Sequence, residues 1–172
     1  MSIRSIYKKH EQAIKYLFFG IATTFVGWAV YFLILLGGKA ALGIPTEDTS
    51  SGIYLVLYSI AQIIQWVAAV LFAFYTNKKW VFTDADKNVS TAKQLAVFAS
   101  GRAVTFLLDY VVTFFGALLL SKILPFANNV LLLGKEWNLN EIGAKLVAAI
   151  IVIIGNYFFS KLIVFKKKKN NA

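Results

Sequence analysis

The sequence predicts an all-α integral membrane protein with four transmembrane helices. Three observations predict it. Of the 172 residues, 59% are hydrophobic and only 15% charged; the apolar residues gather into four long runs; and the lysines and arginines sit in short blocks beside those runs. A soluble domain of this length cannot hide so much apolar surface, so its solvent must be lipid. The length suits one domain, here a single membrane domain over 1–172.

The runs cover about 16–36, 54–76, 95–120 and 139–165. Each reaches the ~20 residues a helix needs to cross ~30 Å of hydrocarbon. Strands would leave backbone groups unpaired in lipid, so the runs must be helical. The last two are longer, which implies tilt or extension past the headgroups. The first run is too long for a cleaved signal peptide. Ahead of it, in the segment 1–15, Ile3, Ile6, Tyr7 and Ile14 recur at helical spacing among Arg4, Lys8, Lys9 and Lys15. That pattern fits an amphipathic helix on the inner membrane surface, with a disordered basic tail as the alternative.

Orientation follows from the basic residues outside the runs. The N-terminus carries Arg4, Lys8, Lys9 and Lys15; the 77–94 loop carries Lys78, Lys79, Lys87 and Lys93; the C-terminal end, with its basic tail 166–172, carries Lys161 and Lys166 to Lys169. The other loops have Lys39 alone, and Lys122 with Lys135. Both termini and the middle loop are therefore expected on the cytoplasmic side of the cell membrane. Trp80 and Trp137 fall where aromatic belts belong. The net charge of +10 belongs to these blocks. It reads as contact with membrane lipids rather than nucleic acid.

Two segments echo one another. Phe74-Tyr75-Thr76-Asn77-Lys78-Lys79-Trp80-Val81-Phe82 and Tyr157-Phe158-Phe159-Ser160-Lys161-Leu162-Ile163-Val164-Phe165 align 83 positions apart, sharing an aromatic start, a lysine and a Val-Phe finish. Helices 1–2 and 3–4 then form two parallel-repeat hairpins, a transporter pattern that expects the site between the repeats. Convergent interface residues are the alternative.

Ionisable residues inside a bilayer cost roughly 2.5–3.5 kcal/mol each on insertion scales. Arg102, seven residues into run 3, can grip a lipid phosphate bidentately; the alternatives are snorkelling or pairing in the bundle. Asp109 is too deep to snorkel. It lies about 10 Å further along the same face, where a carboxylate can accept from hydroxyl groups or carry a proton; the alternatives are a pair with Lys145 or a protonated hydrogen bond. Lys145 follows Glu141 by one turn, so an i,i+4 pair at the outer interface competes with an outward phosphate site. Gln62 and Gln65 share a face of helix 2 and suit hydrogen bonds between helices or the lining of a polar path. Asn156 and Asn77 suit helix caps or contacts with a polar ligand. Trp28 and Trp66, far from either interface, suit stacking on a ligand or core packing.

Several chemistries are excluded. There is no cysteine, and the single histidine, His10, lies outside the runs. No disulfide, thiolate nucleophile or metal cluster can be assembled, and no paired carboxylates or nucleophile with a base stand out. Neither a metal, a cofactor nor an enzyme activity is expected. Asp84-Ala85-Asp86-Lys87-Asn88 imitates a calcium loop, but Val89 stands where glycine is required and no closing glutamate follows.

The segment Asn156-Tyr157-Phe158-Phe159-Ser160-Lys161-Leu162-Ile163-Val164-Phe165, its helix 2 copy with Phe74, Asn77, Lys78, Trp80 and Phe82, and the opening Lys15-Tyr16-Leu17-Phe18-Phe19-Gly20 with Thr23-Thr24 carry a resemblance. Over nearly the whole chain it resembles the GtrA-like family of small four-helix membrane proteins. Two positions depart from that pattern: Ala73 stands where asparagine is usual, and Gly27-Trp28 where an acidic residue is often found. The resemblance implies translocation of polyprenyl-phosphate-linked sugars across the cytoplasmic membrane for cell-surface polysaccharide or teichoic acid glycosylation. Arg102, helped by Lys78 and Lys161, would attract the phosphate; the sugar would pass Asp109, Gln62, Gln65 and Asn156 while the isoprenoid tail stays in lipid. A non-transporting subunit that recruits a glycosyltransferase is the second reading. A small-molecule exporter is the third, although such transporters carry a carboxylate in helix 1 and this one has none. Four helices make a thin bundle, so a homo-oligomer is expected, with a dimer favoured.

Overall fold

The computed structural model describes residues 3–45, 48–132 and 134–167. All the long elements are helical. The chain forms two compact units, Met1–Ala85 and Asp86–Ala172, and each is a helical hairpin.

The first unit holds α1 (Ile3–Leu42) and α2 (Gly52–Thr76), closed by a π turn at Asn77–Val81. The second holds α3 (Thr91–Ile123), a two-stranded ribbon of β1 (Val130–Leu132) and β2 (Lys135–Trp137), and α4 (Leu139–Phe159), closed by a π turn at Ser160–Val164. Lys8–Leu42, Gly52–Val81, Thr91–Ile123 and Leu139–Val164 are each long and apolar enough to cross a membrane. Helix α1 runs 40 residues without a break, about 60 Å, or twice the hydrocarbon thickness. Residues 3–15 therefore continue the spanning helix rather than forming a separate one. The side chains of Ile3, Arg4, Ile6 and Tyr7, on which the amphipathic pattern rests, lie outside the described residues, as do Lys168 and Lys169 of the basic tail.

Capping explains the helix starts. Ser51 Oγ accepts from Tyr54 N at 3.2 Å, and Ser90 Oγ from Lys93 N at 3.3 Å. Asn138 Oδ1 accepts from the backbone of Asn140 and Glu141 at 3.1 and 3.2 Å. Each cap satisfies donors that the first helical turn would leave open. In the ribbon between α3 and α4, Gly134 takes φ +75°, a conformation glycine enters without strain.

Interior packing is sparse and relies on small residues. In the first unit Leu35, Ile44, Leu57 and Ala61 form a cluster with Tyr31, Ile34 and Tyr54 against it. In the second, Ala144 and Ala148 are buried, and Gly101 lies so close to the Phe159 ring that an added Cβ would meet it at 2.2 Å. Small side chains let helices approach closely where lipid offers no hydrophobic drive between them. Most other large apolar side chains, among them Phe18, Leu33, Phe106 and Tyr110, face outward. That is the arrangement lipid solvent requires.

The two π turns close their units alike. Phe82 N donates to Asn77 O and Phe165 N to Ser160 O, both at 2.8 Å. Phe82 and Phe165 are fully buried. Phe82 packs on Tyr16, with ring centroids 6.4 Å apart, and Phe165 on Phe98 at 6.1 Å. In the second unit Asp86 N donates to Lys166 O at 2.8 Å, clipping the approach to α3 onto the exit from α4.

Candidate functional site

The second unit carries Arg102, Asp109 and Lys145 within its spans. Arg102 lies roughly three turns into α3. It is half-buried, and its guanidinium stands 4.8 Å above the Phe98 ring. One turn on, the Thr105 hydroxyl donates to Asn156 Oδ1 of α4 at 3.0 Å, and lies as close to the Gly101 and Arg102 carbonyls, at 3.0 and 3.1 Å. Asn156 is buried. A further turn on, Asp109 forms an ion pair with Lys145 of α4. The Asp109 side chain is 22% exposed and that of Lys145 57%. Along α3 the order is thus a guanidinium, a neutral hydrogen-bonded pair and an ion pair.

This corrects the expectation that Lys145 pairs with Glu141. Lys145 reaches across the hairpin instead, and the Glu141 carboxylate accepts from Asn138 Nδ2 at 3.2 Å. The N-terminal turn of α4 explains the preference, because a carboxylate there meets open amide groups and the positive end of the helix dipole. Lys161 stands over the Tyr157 ring at 5.4 Å and donates to its hydroxyl at 3.3 Å.

The first unit is polar without being charged at the same level. Gln65 Nε2 donates to Gln62 Oε1 at 2.9 Å, and Gln62 Nε2 donates to the Tyr58 hydroxyl at 2.8 Å. Expected as links between helices, these amides instead bond along α2, because residues three and four apart already face each other. Gly27 of α1 faces the free end of this relay: a Cβ there would lie 3.1 Å from Gln65 Oε1. Asn77 caps α2. Its side-chain oxygen is buried and accepts no hydrogen bond. Lys78 lies 5.8 Å over the Phe74 ring, as Lys161 lies over Tyr157. Trp28 is 57% exposed and Trp66 also faces outward, so neither packs in the interior of its hairpin.

The structure also brings in residues that sequence reasoning missed. Lys39 is buried, donating to Asp48 O at 2.7 Å and Pro45 O at 3.3 Å, with the Tyr54 ring at 4.7 Å. Asn140, buried, donates to Leu124 O and Asn128 Oδ1, both at 2.8 Å. Thr105 had one signal available, a hydroxyl one turn after Arg102 in an apolar run. Among the described residues no group of three or more His, Cys, Asp or Glu side chains can hold a metal ion.

Residues 15–165 match the GtrA/DPMS transmembrane domain, most of the chain's length. The chain belongs to this family. Two curated relatives of this GtrA/DPMS chain are each named cell wall teichoic acid glycosylation protein GtcA. That of Listeria innocua serovar 6a is 33% identical over 82 residues, and that of Listeria monocytogenes serovar 1/2a is 37% identical over 82 residues. Each alignment covers 47% of this chain and 57% of the relative, so the chain spans little more than half the length of these proteins. No solved structure is similar to this GtrA/DPMS chain.

Proposed function

We propose that this family member is a flippase, or the translocating part of one, for a polyprenyl-phosphate-linked monosaccharide. The lipid would cross the cytoplasmic membrane to supply teichoic acid or other cell-surface polysaccharide glycosylation. The observation that carries this reading is the polar line on α3 and α4: Arg102, then Thr105 with Asn156, then Asp109 with Lys145. Three charges inside apolar spans are costly, and in series they suit a headgroup whose phosphate and sugar lie end to end. Arg102 would hold the phosphate, with Lys161 of the same hairpin attracting the anion, and Asn156 and the Asp109–Lys145 pair would take sugar hydroxyls. Within the first unit, Lys78 would attract anionic headgroups, and Gln62, Gln65 and Asn77 would offer neutral contacts. No step makes or breaks a covalent bond, so no catalytic group is required. In this reading the hairpins arose by duplication, enter from the same side, and leave both termini in the cytoplasm.

The test is translocation in proteoliposomes holding a labelled polyprenyl-phosphate sugar. Asp109→Asn and Arg102→Ala are each expected to abolish movement; normal transport by both would remove the site assignment. One observation favours a second reading. More than half of the Lys145 side chain is exposed on its hairpin, and a charge at that depth needs more protein to cover it. A second copy of the chain, as in a dimer, or a glycosyltransferase of the same pathway would serve. Purified protein that moves no lipid, yet restores a transferase when mixed with it, would favour the recruiting role.

A further inference from the structure

The first unit carries a second feature that the polar line does not use. Ile14, Lys15, Phe18 and Phe19 of α1 and Trp80 of the π turn line an open groove of about 380 Å³. Its aromatic wall is fixed. Trp80 stacks on Phe19 at 5.3 Å and 10°, and its edge meets Tyr75 at 5.7 Å and 87°. One cation lines it, and a second lies on the Trp80 ring outside the lining. Lys15 lines the groove and pairs with Glu11 at 2.6 Å; Lys79 Nζ lies 4.9 Å above the Trp80 ring and donates to the Tyr75 hydroxyl at 3.0 Å. Phe18, 65% exposed, leaves a broad apolar surface beside these charges.

We propose that this groove docks polyprenyl phosphate itself, with the phosphate at Lys15, the first isoprenoid units along Ile14, Phe18 and Trp80, and Lys79 adding positive charge nearby. Three features select this occupant. The groove pairs positive charge with an oily floor, which complements an anionic amphiphile and neither a free anion nor a neutral lipid. The exposed Lys15–Glu11 pair is of the kind that contributes little, so a phosphate competes with it readily. Ring faces pack closely against the C–H groups of a hydrocarbon chain such as an isoprenoid. The chemistry is confined to one hairpin: the positions 83 residues after Lys79 and Trp80 are Leu162 and Ile163, and the positions 82 after Lys15 and Phe19 are Val97 and Gly101. The choice of an isoprenoid rests on the proposed function, whereas the charge and shape of the groove do not.

Full-length protein in nanodiscs is labelled with a diazirine-bearing polyprenyl monophosphate, and the adducts are mapped by mass spectrometry. Label is expected on Ile14 to Phe19 and Trp80. Excess unlabelled polyprenyl phosphate should displace it, and an equal excess of phosphatidylglycerol should not. K15Q/K79Q should lower labelling about tenfold or more, given roughly 1 kcal/mol per basic residue at an anionic surface. Trp80→Leu, which keeps an apolar residue in the π turn, should lower it as well. Label elsewhere, label indifferent to both variants, or equal displacement by phosphatidylglycerol overturns the proposal. The two readings fail separately. Wild-type protein that takes label in the groove but moves no lipid loses only the flippase; protein that transports without groove label loses only this site.

Discussion

The two hairpins share a frame and differ in what they place inside it. Each ends in a π turn followed by a phenylalanine that packs on a ring of the unit's first helix, Phe82 on Tyr16 and Phe165 on Phe98. Each closing turn carries a lysine over an aromatic ring four residues earlier, Lys78 over Phe74 and Lys161 over Tyr157. With these anchors aligned, Gly20 and Gly27 stand 82 residues before Arg102 and Asp109, and Gln62 stands 83 before Lys145. The first unit thus meets each charge of the second with a glycine or an amide. A helical hairpin needs no charge at these mid-helix positions, because the first unit forms without one there; its buried cation, Lys39, sits at the loop end of α1. The ions of the second unit are therefore best explained by function, and their removal should reveal it.

The largest effect is expected at the ion pair. Asp109→Ala and Lys145→Ala each strand one charge at helix depth and should each abolish transport. D109A/K145A should be more stable than the sum of the two single losses predicts, with a coupling of about 0.5–3 kcal/mol, the range for residues in direct contact. Unfolding of the four proteins in one detergent gives that coupling. A coupling near zero would mean that the pair only decorates the hairpin surface.

How much of this was legible beforehand depended on the kind of interaction. The four spans were, because lipid solvent imposes a length and a composition on every one. The 83-residue echo was, because the closing turns repeat the same aromatic and basic residues. The partner of Lys145 was legible only as one of two readings. A pair with Asp109 was an alternative, spacing favoured Glu141 one turn away, and the α3–α4 packing decides for Asp109 while Glu141 is held by Asn138. The amides of Gln62 and Gln65 illustrate the same limit, since a periodic face shows where a side chain lies and not which neighbour takes its hydrogen. The ribbon at Val130–Trp137 escaped notice because its strands are three residues long, too short for alternation to register.

Close packing offers the next test. Gly101→Ala forces a methyl group toward Phe159, where three ring atoms lie within 2.8 Å of the new Cβ. Overpacking of this kind typically costs about 1–3 kcal/mol. Gly20→Ala in the first unit meets nothing within 4 Å and should be neutral, or stabilising by up to about 1 kcal/mol through helix propensity. Thermal unfolding of both variants compares the two helix pairs directly. Below this lies the amide relay. Q62A/Q65A should cost about 1 kcal/mol, in keeping with the modest worth of hydrogen bonds between polar side chains in membrane helices, and should leave transport within a few-fold of normal. Transport lost as completely as in Asp109→Asn would end the distinction between a charged unit and a neutral one.

The smallest contrast lies in the loops that join each pair of helices. In the second unit a neutral side chain ties the join, Asn140 bonding Leu124 O and Asn128. In the first it includes an ion: Asp48 Oδ1 accepts from Ser51 N at 2.9 Å and Ser50 N at 3.1 Å. Hydrogen bonds from Ser51 above all, then from Ser50, with a smaller contribution from Lys39, hold the Asp48 carboxyl below its ordinary value. A depressed carboxylate stabilises the fold above its unfolded pKa, about 3.9 for aspartate, and that contribution fades as the pH falls through the lower folded value. The group is fully exposed, so the effect is slight. Hydrogen exchange of the Ser50 and Ser51 amides should therefore lose protection on acidification below about pH 4, and Asp48→Asn should remove that pH dependence. The Asn140 side-chain bonds have no titrating partner, so protection around Asn128 should stay flat across the same range. Equal acid sensitivity in both loops would show that the two hairpins are closed by a common charge rather than by different chemistry.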